Sequence, residues 1–251
     1  MTQLTKAQLN QQLLAAAKAN DLTTAQAQLE LGADLSAADQ DGTTAAILFG
    51  WNGNDFAVLE LAQQDADVLK QQNSAGYTPT IWLAADANQK VDGILALAKI
   101  NPEVLLQKTT HGDSPAILLA FSGHINGVLA LAAINPEVLT QRDDKGFTPA
   151  HWLARNRYDI ELAALAEKHP EVLTIPDHSG ITVMQYYVQR KRLRMVRALV
   201  RAVPETIYEP GVKPFLRKYD KTIAGRISRM FWRDEPQKER PTKKRPTPSD
   251  D

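Results

Sequence analysis

Few side chains of this 251-residue chain can do acid–base or metal chemistry, and they are dispersed. Five histidines, His111, His124, His151, His169 and His178, do not fall at the spacing of a metal-binding pair. There is no cysteine, which excludes a thiolate zinc site, a cysteine nucleophile and a disulfide scaffold. No His-Glu-x-x-His helix, phosphate-cradling glycine loop, Gly-x-Ser-x-Gly elbow or dinucleotide fingerprint occurs. Two acidic clusters, Asp39-x-Asp41 and Asp143-Asp144, have the right charge for a hard cation. Neither approaches the roughly six to eight oxygens that calcium takes, so both read as solvated turns. No nucleophile, base and oxyanion donor can be placed together. The expectation is a chain without enzymatic activity, metal or cofactor.

The formal net charge is zero, but the charges are segregated. Residues 1–180 carry 11 Lys and Arg against 21 Asp and Glu, whereas residues 181–251 carry 18 against 8. An acidic body with a basic end suggests an interaction tail. No apolar run reaches the roughly 18 residues that a membrane-spanning helix needs. The leading segment MTQLTKAQLNQQLLAAAKAND is polar and lacks the apolar stretch of a secretory signal. These features predict a soluble, cytoplasmic protein in a reducing compartment.

The elements that must position any binding residue show up as a repeat. Glycines recur at Gly42, Gly76, Gly112, Gly146 and Gly180, each followed two residues later by Thr44, Thr78, Ser114, Thr148 or Thr182. Proline comes next at Pro79, Pro115 and Pro149. A second phrase keeps the same period: Asn101-Pro-Glu-Val-Leu105, Asn135-Pro-Glu-Val-Leu139 and His169-Pro-Glu-Val-Leu173, with Asp65-Ala-Asp-Val-Leu69 before them and Val203-Pro-Glu-Thr-Ile207 after. Each unit predicts a hairpin turn, an inner helix, a short loop and an outer helix. Glycine accepts the positive φ of the turn. Thr or Ser caps the inner helix, and proline stands at its first position, where a missing N–H costs nothing. The outer helix has apolar residues three and four apart, as at Val128, Leu129, Leu131 and Ala132. Asn-Pro then stops it, because proline disfavours the helical region for the residue before it.

The phrase Gly146-Phe-Thr-Pro-Ala-His-Trp-Leu-Ala154 resembles the ankyrin repeat, whose core phrase is Thr-Pro-Leu-His-x-Ala at a period of about 33. Gly32-Ala33-Asp34 matches the family's repeat ending. The resemblance implies an all-α solenoid over residues 1–210. Its six repeats are 4–38, 39–72, 73–108, 109–142, 143–176 and 177–210, the first a polar cap bearing Gln8, Gln11 and Gln12. There are departures. The family's histidine, which ties neighbouring turns, survives only as His151; Ile47, Ile81, Ile117 and Gln185 stand elsewhere, which predicts a weaker polar network between repeats. Asn-Pro-Glu replaces Gly-Ala-Asp in the middle repeats, Val183 stands where proline was expected, and two extra residues of the third unit fall in the loop 86–90. In style the sequence is similar to ankyrin proteins that intracellular bacterial pathogens deliver into host cells through C-terminal secretion signals, which implies an effector acting on host proteins.

A unit of this kind cannot bury its own apolar face, so units stack and leave a long surface. Residues that differ between equivalent positions at the turn tips and inner-helix ends are free of the packing constraint. They predict a concave partner-binding surface of Trp51, Asn52, Tyr77, Asp86, His111, Phe121, Lys145, Phe147, Arg155, Asn156 and Arg190, on a monomer. Aromatic residues and arginine dominate such interfaces. Tyr77 and Phe147 can equally serve to cover the adjacent turn. Trp82 and Trp152, on the inner helices, are expected in the core. The acidic body favours a protein partner with a basic patch.

The basic end carries Arg192, Arg194, Arg197 and Arg201, then Lys218, Lys221, Arg226 and Arg229. Residues 211–233 place Phe215, Tyr219, Ile223, Ile227, Met230 and Phe231 at helical spacing, weakened at Gly225. This predicts a C-terminal helix that caps the stack, or one that meets an anionic membrane, an acidic partner or nucleic acid, or both with opposite faces. Residues 234–251 have no apolar residue to anchor a helix and are expected to be disordered, with Lys243-Lys-Arg245 a weak nuclear-import patch.

Overall fold

The structure, a computed structural model, describes residues 4–86 and 91–219. The inserted loop of the third unit falls mostly on 87–90 and lies outside the described residues, as does everything from 220 onward.

Six antiparallel helix pairs follow one another along the chain: α1 (Lys6–Lys18) with α2 (Leu22–Glu30), α3 (Ala45–Trp51) with α4 (Asp55–Gln64), α5 (Pro79–Ala85) with α6 (Val91–Ile100), α7 (Pro115–Phe121) with α8 (Ile125–Ile134), α9 (Pro149–Arg155) with α10 (Asp159–Lys168), and α11 (Val183–Gln189) with α12 (Leu193–Ala202). A final helix, α13, spans Val212–Tyr219. The inner helices α1, α3, α5, α7, α9 and α11 pack in one row, and α4, α6, α8, α10 and α12 in a second. Among the described residues the only strand-like pairing is a single bridge between Ala38 and Thr44. The architecture is thus the expected all-helical solenoid.

The inner helices from α3 onward are seven residues long. That is well below the roughly 12–15 residues at which an isolated helix becomes marginal in water, so neighbours must hold them. Their ends are built as the residue types dictate. Thr78, Ser114 and Thr182 accept the N3 amides of Ile81, Ile117 and Gln185 at 3.2, 3.4 and 3.2 Å. Val183 in place of proline leaves α11 intact. Thr44 departs from the pattern, because its hydroxyl is buried without a partner.

The turns share one device. Their first residue, Asp39, Asn73, Thr109, Asp143 or Asp177, offers a side-chain oxygen to the amides two and four residues on, as Asp143 does to Lys145 and Phe147 at 2.8 Å. Successive turns then join through the main chain: Ser74 N–H to Asp41 O, Thr110 to Ala75, Asp144 to His111 and His178 to Lys145, at 2.8 to 3.2 Å.

One expectation needs correction. The Asn-Pro-Glu-Val-Leu phrase does more than stop the outer helix. Asn101 and Asn135 do leave the helical region, but each then accepts the amide of its Glu and opens a 3₁₀ turn, Pro102–Leu105 or Pro136–Leu139. Equivalent turns run over Ala66–Lys70, Pro170–Leu173 and Pro204–Tyr208. Val68, Leu69, Val104, Leu105, Val138, Leu139, Val172 and Leu173 from them are buried in the core. Side-chain polar ties between repeats are present where the family histidine is missing. Gln107 and Gln141 donate back to the Leu69 and Leu106 carbonyls at 2.7 and 2.9 Å, and Lys108 donates to Arg142 O at 3.0 Å. The retained His151 does tie turns: its Nε2 meets the Ile181 carbonyl at 3.2 Å while Nδ1 faces Thr148 Oγ1 at 2.9 Å.

At the C-terminal end α13 lies on α11 and α12 and buries Val212, Phe215 and Leu216. The described part of the basic end therefore closes the stack, with Arg217, Lys218 and Tyr219 outward. At the other end α1 buries Leu9, Leu13, Ala16 and Ala17 and leaves Gln8, Gln11 and Gln12 in solvent.

Candidate partner-binding surface

The inner-helix side presents its aromatic residues in two clusters. At repeats 2 and 3, Trp51 at the end of α3 is 54% exposed and its ring lies 6.4 Å from that of Trp82 on α5. Tyr77, at the turn before α5, stacks on the other side of Trp82 at 4.1 Å, so it shields its own turn and extends the aromatic row at once. At repeats 4 and 5, Phe121 at the end of α7 is 50% exposed and meets Trp152 of α9 edge-on at 5.1 Å. Phe147 meets Trp152 edge-on at 5.7 Å, and the Arg155 guanidinium lies 4.6 Å over the Phe147 ring. Trp82 and Trp152 are half-buried and not core residues as expected. The inner-helix position after the buried Ile81 or His151 is only half-buried, and each indole packs against aromatic neighbours while part of it stays in solvent.

Between Phe121 and the next turn lies a cleft of about 340 Å³ lined by His111, Asp113, Phe121, Asp144, Lys145 and Trp152, with apolar walls from Ile117 and Leu118. Asp143 underlies it. Asp143 is 6% exposed yet fully used, since its second oxygen accepts the Trp152 indole N–H at 3.0 Å. That bond fixes the Trp152 ring. Burial, and then the charge of Asp143, holds the Asp113 carboxyl above its ordinary value. His111 reaches the exposed Asp144 carboxylate at 3.3 Å. Two carboxylates, Asp113 and Asp144, thus line the cleft together with Lys145.

Other expected contact residues have structural duties. Asn52 donates its side-chain amide to Ala17 O at 3.1 Å, and Asn156 donates to Phe121 O at 2.7 Å, each tying an inner-helix end to the preceding repeat. Asp86 sits against the Gly53 loop of the repeat before it. Arg190, exposed at the end of α11, lies 5.2 Å over the Tyr186 ring.

Of the basic end, Arg194, Arg201 and Lys218 are exposed and Arg197 is half-buried, while Lys221, Arg226 and Arg229 lie outside the described residues. Arg192 does not join the α12 residues. It turns into a second cleft, of about 470 Å³, with Arg155, Asn156, Arg157 and Arg190 over Trp152 and Tyr186. Arg157 was not anticipated. It occupies the α9–α10 loop at a φ of +66°, and its only sequence signal is the spacing Arg155-x-Arg157.

Among the described residues no group of His, Asp and Glu is placed to hold a metal ion, and no helix is long and apolar enough to cross a membrane. No family model matches this sequence, and no curated protein matches it. Among solved structures, the crystal structure of the ankyrin repeat protein EF0377 superimposes with a TM-score of 0.66 at 22% sequence identity, over 76% of this chain and 98% of that one. Helix pairs in two rows, glycine turns linked through the main chain and this superposition establish the fold of the chain as the ankyrin repeat.

Proposed function

We propose that the chain is a non-catalytic binding module that holds a protein partner along its inner-helix side. The observation that carries this reading is the pair of aromatic clusters, Trp51–Trp82–Tyr77 and Phe121–Trp152–Phe147–Arg155, open to solvent on one side of an ankyrin-repeat fold. Large rings already packed against neighbours lose little conformational freedom on binding, and such side chains supply most of the energy at interfaces. The acidic rim of Asp113 and Asp144 supports a partner segment with basic residues over repeats 4 and 5. The setting we propose is that of an effector acting on host proteins, supported by the style of the sequence alone and tested by a secretion assay with and without residues 234–251.

Affinity capture with mass spectrometry from candidate host cells tests the main reading. A captured protein should be lost from the Trp51→Ala and Phe121→Ala variants, at about 2 kcal/mol or more for each hot-spot side chain. Recovery that is unchanged in both variants refutes it.

The exposed arginines of α12 support a second reading, an adaptor that docks on an anionic membrane or nucleic acid. A truncation that tests it must begin after Tyr219, because α13 closes the core. Liposome and DNA binding should then fall in the truncated chain or in an Arg194→Ala/Arg201→Ala variant.

A further inference from the structure

The cleft between repeats 5 and 6 joins two regions that the sequence kept apart, the end of the concave surface and the start of the basic end. Arg155 and Arg157 come from α9 and its following loop, Arg190 and Arg192 from the end of α11 and the start of α12. The four arginines line one space of about 470 Å³. None of them forms an ion pair among the described residues. The nearby carboxylate of Asp159 accepts the buried Tyr187 hydroxyl at 2.7 Å. Four like charges in one cleft repel one another, and a bound anion removes that repulsion.

The arginines are also prepared for such a ligand. Arg155 lies over Phe147 and, at 5.9 Å, over Trp152, while Arg190 lies over Tyr186. A ring close to a guanidinium restricts its side chain, so less entropy is lost when a ligand binds. Asn156 spends its amide on Phe121 O and serves as part of the floor. Guanidinium forks match the oxygens of a phosphate group, and a phosphorylated side chain carries about −1.5 to −2 charges on three acceptor oxygens.

We propose that this cleft takes a phosphorylated side chain of the protein partner. The inference rests on the reading of the inner-helix side as a protein-binding surface, and it adds a charge requirement at one end of it. The cleft is continuous with the Phe121–Trp152–Phe147 cluster through Trp152, which lines both spaces. A peptide lying along the rings therefore reaches the arginines. Asp113 and Asp144 line the neighbouring cleft together with Lys145 and His111.

The test uses the full chain and a fluorescein-labelled peptide library randomised around a central phosphoserine, phosphothreonine or phosphotyrosine. The same library without phosphate, vesicles containing phosphatidylserine or a phosphoinositide, and a single-stranded oligonucleotide are compared in parallel. Phosphorylated peptides should be retained at least tenfold better than their unmodified counterparts, and retention should weaken as salt is raised. Arg157→Ala and Arg190→Ala, both exposed and outside the core, should each reduce retention about tenfold or more, whereas Arg194→Ala/Arg201→Ala on α12 should leave it unchanged. Retention indifferent to phosphate, or unaffected by Arg157→Ala and Arg190→Ala, overturns the proposal. So does a preference for vesicles or oligonucleotide over phosphopeptide. The Trp51→Ala and Phe121→Ala captures report on the protein-binding surface independently: loss there with no phosphate dependence here sinks only the present inference.

Discussion

Two glycines at the same step of the same turn offer a controlled measurement of how closely neighbouring repeats approach. Gly146 has φ +79° and Gly180 has φ +76°, so replacing either by alanine forces a side chain into the left-handed region, at about 1–2 kcal/mol. A Cβ on Gly180 would meet no atom within 4 Å. A Cβ on Gly146 would stand 2.4 Å from the backbone nitrogen of His178. Backbone cannot rotate aside as a side chain can, so the two turns must separate. The bonds at risk are His178 N–H to Lys145 O at 3.2 Å and His178 Nδ1 to Asp144 O at 3.0 Å, each contributing about 1 kcal/mol or somewhat less at this exposed edge. Gly180→Ala should thus cost about 1–2 kcal/mol and Gly146→Ala about 3–4 kcal/mol. In urea, with a slope of about 2 kcal/mol/M, that difference separates the unfolding midpoints by roughly 1 M. A second pair removes the conformational part: asparagine tolerates the left-handed region, so Gly180→Asn should recover most of its loss and Gly146→Asn should not. Gly76 and Gly112, with neighbours at 2.6 and 2.8 Å, should behave as Gly146 does. If alanine at 146 and alanine at 180 shift the midpoint equally, close contact between turns is not what holds them, and the reasoning fails.

Two further outcomes are expected. Burial pushes the His151 imidazole below its ordinary value, so the unfolded chain binds the proton more readily. The stability that neutral His151 contributes is present above pH of about 6.5 and is lost as pH falls below it; acid titration by circular dichroism should show this loss in the native chain and not in His151→Gln. Leu139→Ala, in a 3₁₀ turn, should cost about 2–5 kcal/mol in urea denaturation, as for a core leucine, whereas a turn that merely ended a helix would lose almost nothing.

The repeat, the turn glycines and the capped inner helices were legible because each rests on residue types whose local chemistry leaves little choice. Thr-Pro before an apolar run marks an N-terminus wherever the helix packs. The 3₁₀ turns were hidden in plain view: the proline in Asn135-Pro136 signals a helix end, and nothing local says that Val138 and Leu139 go inward. Only stacking against the next repeat decides that. The same holds for Trp152, expected in the core by type. An indole N–H needs an acceptor when covered, and Asp143 supplies it at the edge of the groove, which keeps the ring there. The candidate surface was legible in outline, since Trp51, Phe121 and Arg155 do face outward. The structural duty of Asn52 and Asn156 was not legible, because a bond to a carbonyl of the preceding repeat leaves no trace in the sequence. Arg157 and Arg192 belong together only once two helix pairs are laid side by side.

The link from one turn to the next uses an amide from the later turn and a carbonyl from the earlier one, with residues as different as Ser74, Thr110, Asp144 and His178 as donors. These main-chain links do not depend on which side chain stands at the tip, and the His178 and Thr110 side chains add bonds of their own to the preceding turn. Recognition and cohesion are thereby written in largely separate alphabets, and a lineage carrying this fold can exchange one target for another by changing tip residues while the main-chain links of the solenoid persist. Selection for new partners can then act on these positions first, while Asp39, Asn73, Thr109, Asp143 and Asp177 and the glycines three residues after each stay in place.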